Sequence, residues 1–162
     1  MNKYQSECPA STGRTYIRTG LFGRYILINN AGVGTYGRFE EIDTEREQEE
    51  IMLNTAALVD LTHSLLPDML RRENGVIVNV ASIAVFMPCA YSTVHGATKA
   101  FVLSFSEVLW AETRGRGVRV LALCPGATET GFFDAVVSEE MGAGQNLSLS
   151  TSTWMRNESR LH

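Results

Sequence analysis

The chain has 162 residues, 44% of them hydrophobic and 20% charged, with a formal net charge of −4. That is enough for one domain with its own core, and the acidic balance offers no basic patch to nucleic acid. No apolar run is long enough to cross a bilayer, and the N-terminus lacks the apolar core of a signal peptide. Cys8, Cys89 and Cys124 stand far apart with no C-x-x-C pair, which fits reduced thiols in a cytoplasm better than a disulfide framework or a metal site.

Residues 1–22 are polar and broken by Pro9, Gly13 and Gly20, so weak order with at most one short element is expected there. Tyr25-Ile26-Leu27-Ile28 is a strand-type run closed by the turn-forming Asn29-Asn30-Ala31-Gly32. A continuous apolar run of this kind suits a parallel strand buried on both faces. A long helix is expected near 44–73. Thr44 and Glu47 have capping-box spacing at its start, and Ile51, Leu58, Leu61, Leu65 and Met69 recur at helical intervals. Asn54 falls in that apolar stripe, where an amide needs hydrogen-bond partners; it reads either as a kink site or as a clamp on water or backbone. Pro67 should bend the helix near its end, and Arg71, Arg72 and Gly75 should close it. His63 reads as an ordinary helix residue.

Val76 to Val80 is the second strand, and it delivers Ser82 at its carboxyl end. After a loop containing Pro88, a helix near 92–113 begins with the small residues Gly96, Ala97 and Ala100 and carries Lys99. Gly115-Arg116-Gly117 stops it. Residues 118–124 form the third strand, ended by Pro125-Gly126. From Ser138 the chain is polar and rich in Ser and Thr, so 138–162 reads as a disordered tail. Strands alternating with helices predict an α/β domain over 23–137 with a parallel sheet. Right-handed crossovers would bring Asn29–Gly32, Ala81-Ser82 and Pro125–Thr130 to one sheet edge, where open α/β sheets bind ligands.

From Gly20 to Val137 these motifs, in this order and spacing, resemble the short-chain dehydrogenase/reductases, NAD(P)-dependent oxidoreductases, and imply a partial Rossmann-like parallel sheet with flanking helices for this chain. The resemblance implies hydride transfer between NAD or NADP and a small carbonyl or alcohol. It implies that Asn30, Ala31 and Gly32 line the adenosine, that Asn54 kinks the long helix and anchors a proton-relay water, and that Ser82 binds the substrate oxygen. It further implies that Lys99 holds the nicotinamide ribose, and that Pro125, Gly126 and Thr130 orient the nicotinamide. It also implies homo-oligomers built through the two long helices.

Two departures from the family pattern are visible. The family opens with a strand and T-G-x-x-x-G-x-G, whose backbone N–H groups take the pyrophosphate; no such run occurs in these 162 residues, nor do the family's final strand and helix. The expectation is therefore a truncated member with a partial sheet of about three strands. Secondly, the family's catalytic tyrosine, thirteen residues after the serine and four before the lysine, falls on His95. A phenol, with an ordinary pKa of about 10, needs the lysine's charge to work near neutrality, whereas imidazole is ordinarily near 6.5. But the imidazole is shorter and its nitrogens lie elsewhere, and acid–base catalysis needs hydrogen-bond reach. Tyr91, four residues earlier, cannot substitute without a register shift. The expected function is thus an oxidoreductase of this type with impaired turnover. The alternative is a non-catalytic remnant or protein-interaction fragment.

Overall fold

The computed structural model describes residues 16–19, 25–87 and 89–126. Thr130, Phe132, Phe133 and the expected tail 138–162 lie outside them. A single sheet contains β1 (Tyr16–Thr19), β2 (Tyr25–Asn29), β3 (Gly75–Val80) and β4 (Val118–Leu123), in that spatial order. The strands β2, β3 and β4 are parallel, with Tyr25 paired to Gly75 and Gly75 to Val118. The expected three-strand parallel sheet is present. β1 adds an antiparallel strand, Tyr16 facing Ile28, so the apolar run 25–28 is flanked on both sides rather than forming an edge.

The helices α1 (Thr44–Ile51) and α2 (Ala57–Arg71) form the first crossover, joined by a π-helical turn over Met52–Ala56. The helix α3 (Thr93–Thr113) forms the second. Because β2, β3 and β4 are laid down in sheet order, two right-handed crossovers put their helices on the same side. Burial follows: Leu27, Met69, Ile77, Leu109, Val118 and Val120 make one core cluster beneath α2 and α3. Alternate strand residues are less covered, and Leu121 is 52% exposed. The reading of strands buried on both faces is corrected accordingly: among the described residues one face carries the helices.

Two helix ends also differ from expectation. The N-cap of α1 is Asp43, whose carboxylate accepts from the Glu45 N–H at 2.9 Å; a short acid one residue earlier does what Thr44 was expected to do. Glu47 turns inward instead of reaching back to the cap. At the C-terminus of α2, Glu73 takes the left-handed conformation, φ 50°. Its N–H bonds to Leu70 O and the Asn74 N–H to Met69 O, the paired reverse bonds of a Schellman ending. Gly75 is not the cap but the first residue of β3. A Cβ there would lie 2.7 Å from the Met69 side chain, so the glycine admits the core methionine.

Candidate active site at the carboxyl edge of the sheet

Strands β2, β3 and β4 end together, and the ladder continues past β3 and β4. Ala81 N–H donates to Leu123 O at 2.7 Å and Ile83 N–H to Pro125 O at 3.1 Å. Ser82 and Pro125 are therefore held side by side, as the sequence implied. Ser82 is extended and caps a 3-10 turn over Ile83–Val85, its Oγ accepting from the Ala84 N–H at 3.1 Å. Its backbone N–H also reaches the buried Cys124 thiol, which burial pushes above its ordinary value and this bond partly restrains.

Below the edge, amides stitch the strands. Asn29 Nδ2 donates to Asn79 Oδ1 at 2.8 Å and to Thr62 Oγ1 at 3.2 Å, and Asn79 Nδ2 donates to Ser106 Oγ at 2.9 Å. Asn29 thus ends the strand instead of opening the turn. Asn30 follows it, exposed, and Gly32 is buried.

Asn54 sits in the π-helical turn, the feature that breaks the long helix in two. Such one-turn bulges re-aim a side chain by adding a residue to the turn. Here the amide grips both backbone polar groups of one residue. Oδ1 accepts from the Val33 N–H at 3.0 Å, and Nδ2 donates to Val33 O at 2.9 Å and to Thr98 Oγ1 at 3.1 Å. Only this orientation of the amide suits both polar atoms of Val33. Both sequence readings of Asn54, kink and backbone clamp, describe one arrangement.

Thr98 Oγ1 donates onward to His95 O at 2.9 Å. Lys99, buried at the next position, donates from Nζ to Val80 O at 2.9 Å. Burial lowers its pKa to about 8, with the charge of Glu50 pulling it back upward. Gly32 closes the cluster: a Cβ there would lie 3.1 Å from Asn54 Oδ1 and 3.2 Å from Lys99 Nζ. His95, one helical turn before Lys99, places Nδ1 3.1 Å from Glu50 Oε1 and 3.3 Å from Val33 O.

Gly32, Asn54, His95 and Lys99 are therefore neighbours, and Ser82 lies two residues beyond the carbonyl that Lys99 holds. The sequence reading missed Glu50, Val33, Thr35 and Thr98. Glu50 is wholly buried although it stands in an acidic stretch, Glu45 to Glu50, that reads as a solvated helix face. The available signal was its spacing, four residues before Asn54 in the same helical run.

Three parallel strands joined by helical crossovers, polar loops gathered at their carboxyl edge and a buried lysine among them define a Rossmann-type domain with a candidate active-site edge. The chain belongs to the short chain dehydrogenase family, whose model matches residues 21–141. It is 36% identical over 124 residues to serine 3-dehydrogenase of Rhizobium radiobacter, covering 75% of this chain and 49% of that protein. It is 42% identical over 123 residues to sulfoacetaldehyde reductase of Chromohalobacter salexigens, covering 74% of this chain and 46% of the other. The chain thus spans about half the length of these curated relatives. Among solved structures, a short-chain dehydrogenase from Sphingobium yanoikuyae in complex with NADPH superposes with a TM-score of 0.65 at 39% identity, over 67% of this chain and 43% of that one.

Proposed function

We propose that this chain carries the substrate-side half of an NAD(P)-dependent oxidoreductase site acting on a small carbonyl or alcohol. The observation that carries the reading is the cluster of Gly32, Asn54, His95 and Lys99 at the carboxyl edge beside Ser82. The residues present fit the nucleoside ends of NAD(P): without a Cβ, the Gly32 backbone lies close against Asn54 and Lys99, and Lys99 brings an ammonium to this edge for ribose hydroxyls. The pyrophosphate has no glycine-rich loop in this sequence.

In this reading a nicotinamide supplies or takes the hydride when bound. Lys99 holds its ribose, with Asn30, Ala31 and Gly32 at the adenosine and Pro125, Gly126 and Thr130 at the nicotinamide. Ser82 Oγ holds the substrate oxygen and His95 exchanges the proton. Asn54 keeps the Val33 loop in place and serves the proton relay. The unit is 23–137, one part of a longer enzyme, which the greater length of the relatives supports; the dispersed cysteines support a cytoplasmic setting. Phe101 and Val108, seven residues apart on α3 and both exposed, support association of copies through the long helices. The alternative, a non-catalytic binding fragment, is favoured by the imidazole standing at the tyrosine position.

The test is NAD(P)H oxidation with a panel of aldehydes and ketones, using the chain alone and the chain fused behind the glycine-rich half of a relative. Turnover is expected in the fusion, and its loss in both Ser82→Ala and Lys99→Met. A folded, cofactor-binding fusion without turnover would leave the binding-fragment reading.

A further inference from the structure

Glu50 is 0% exposed, next to last in α1 and one turn before Asn54 of the π-helical bulge. A carboxylate so placed needs donors and positive charge around it. It has them from three elements. Thr35 Oγ1 donates to Oε2 at 2.8 Å, His95 Nδ1 lies 3.1 Å from Oε1, and Asn54 Nδ2 lies 3.4 Å from Oε1. Lys99 supplies a favourable charge nearby.

His95 Nδ1 faces two oxygens, Glu50 Oε1 and the Val33 carbonyl at 3.3 Å. A carbonyl oxygen can only accept, and so can an ionised carboxylate. A bare Nδ1 lone pair would be repelled by both. Nδ1 must therefore carry the hydrogen, which leaves Nε2 as the basic nitrogen of the neutral ring. An anchored carboxylate that fixes an imidazole in this way also balances the charge that forms when Nε2 takes a proton.

The geometry points to Glu50 as a positioning residue for His95: it holds the ring as the Nδ1–H tautomer, so that Nε2 exchanges the proton of the reaction. This rests on the oxidoreductase reading above. When an alcohol is oxidised, the O–H bond breaks and its proton goes to Nε2, while the C–H electron pair leaves as hydride to the bound nicotinamide and the C=O bond forms. Reduction runs the same transfers backwards. A phenol at position 95 would need the lysine's charge to be activated. The imidazole needs its tautomer set, and a buried carboxylate does that.

The experiment is ring nitrogen–proton correlation NMR on the chain with 15N-labelled histidine, at a pH where His95 is neutral. Unconstrained imidazole prefers Nε2–H. We expect Nδ1–H to dominate at His95 by about tenfold or more, as a charge-assisted bond provides, and Glu50→Leu to abolish that excess. An Nε2–H ring in the wild type, or an unchanged ratio in Glu50→Leu, overturns the proposal. Should Glu50→Leu lose its dispersed amide spectrum, Glu50→Gln replaces it. A smaller fall in the ratio is then expected, and no fall overturns the proposal. The fused chain assayed in parallel separates the two claims. An Nδ1–H ring without turnover sinks the oxidoreductase reading and the proton-exchange role with it. Turnover with an Nε2–H ring sinks the role of Glu50 alone.

Discussion

Lys99 Nζ donates to the Val80 carbonyl at 2.9 Å, tying the second helical turn of α3 to the end of β3 two residues before Ser82. The bond takes the last carbonyl of the strand, and it holds a cation in a place that burial disfavours. The lysine is thus a structural tie made by a buried cation, which gives it a signature in pH.

Burial takes the Lys99 pKa from 10.5 down to about 8, against the upward pull of Glu50. Between those values the unfolded chain binds the proton and the native chain does not. Stability therefore rises with pH across that window, and the contribution is lost as pH falls through the native value. Urea titrations of wild type and Lys99→Met at several pH values isolate the effect. The difference should shift in favour of wild type by on the order of 3 kcal/mol from pH 7 to above pH 10.5. A pH-independent difference would show that Lys99 is no less basic folded than unfolded.

Asn54→Ala leaves the Val33 N–H without its acceptor and takes the nearer donor from Val33 O, which keeps His95 Nδ1 at 3.3 Å. Each buried group left unsatisfied costs about 1–3 kcal/mol, so a loss of roughly 2–4 kcal/mol is expected, with faster hydrogen exchange at the Val33 amide. Asn54→Asp should hold the Val33 N–H but set an oxygen against Val33 O and place a second carboxylate beside Glu50. It should be no more stable than the alanine variant in chemical denaturation at neutral pH.

Glu73 occupies the left-handed position that ends α2, where a side chain costs about 1–2 kcal/mol and glycine is at ease. Replacing it with glycine should raise stability by about 0.5–1 kcal/mol after the added flexibility of the unfolded chain is counted. Denaturant midpoints at constant slope measure this; a lower midpoint would show that the Glu73 side chain has a role of its own.

NAD(P)H should bind the 162-residue chain weaker than is usual for the family by several kcal/mol, since each missing bond to a charged phosphate is worth about 1.5–3 kcal/mol. Titration calorimetry returning micromolar affinity would contradict it. His95→Tyr in the same chain should not restore turnover. Cofactor positioning, worth up to about 7–11 kcal/mol, would still be lacking, and the buried Glu50 would lose its imidazole partner. Robust turnover from that single substitution would show that the pyrophosphate loop matters less than argued.

The β-branched runs made the three parallel strands legible, and the strand–helix alternation made their topology legible. Motif spacing singled out Ser82, Asn54 and Lys99 because each lies at a fixed offset from a recognisable strand or helix, and the fold gathers them near one sheet edge. Glu50 was hidden because an inward-facing acid has the same local sequence as an outward-facing one. Only the docking of α1 against the start of α3 tells them apart. The antiparallel β1 was hidden for a related reason: four residues of mixed polarity carry no period, and their pairing with β2 is a tertiary fact. The Glu73 cap broke the usual preference for glycine, so Gly75 drew the inference instead.

The sheet's sequential order also sets a timetable. The first parallel pairing joins residues 50 positions apart and the second joins residues 43 apart, so each parallel contact waits on a long loop closure, unlike the local pairing of β1 with β2. At about 5–20 residues per second of synthesis, β4 follows β3 out of the ribosome by several seconds. During that interval β2 and β3 can pair under α2, but the far side of β3 stays bare. Ser82 gains its neighbour Pro125 only when β4 arrives. The carboxyl edge beside Ser82 is therefore the last part of the parallel sheet to be assembled, and a nascent chain stalled before Val118 would hold β2 and β3 paired without the juxtaposition of Ser82 and Pro125.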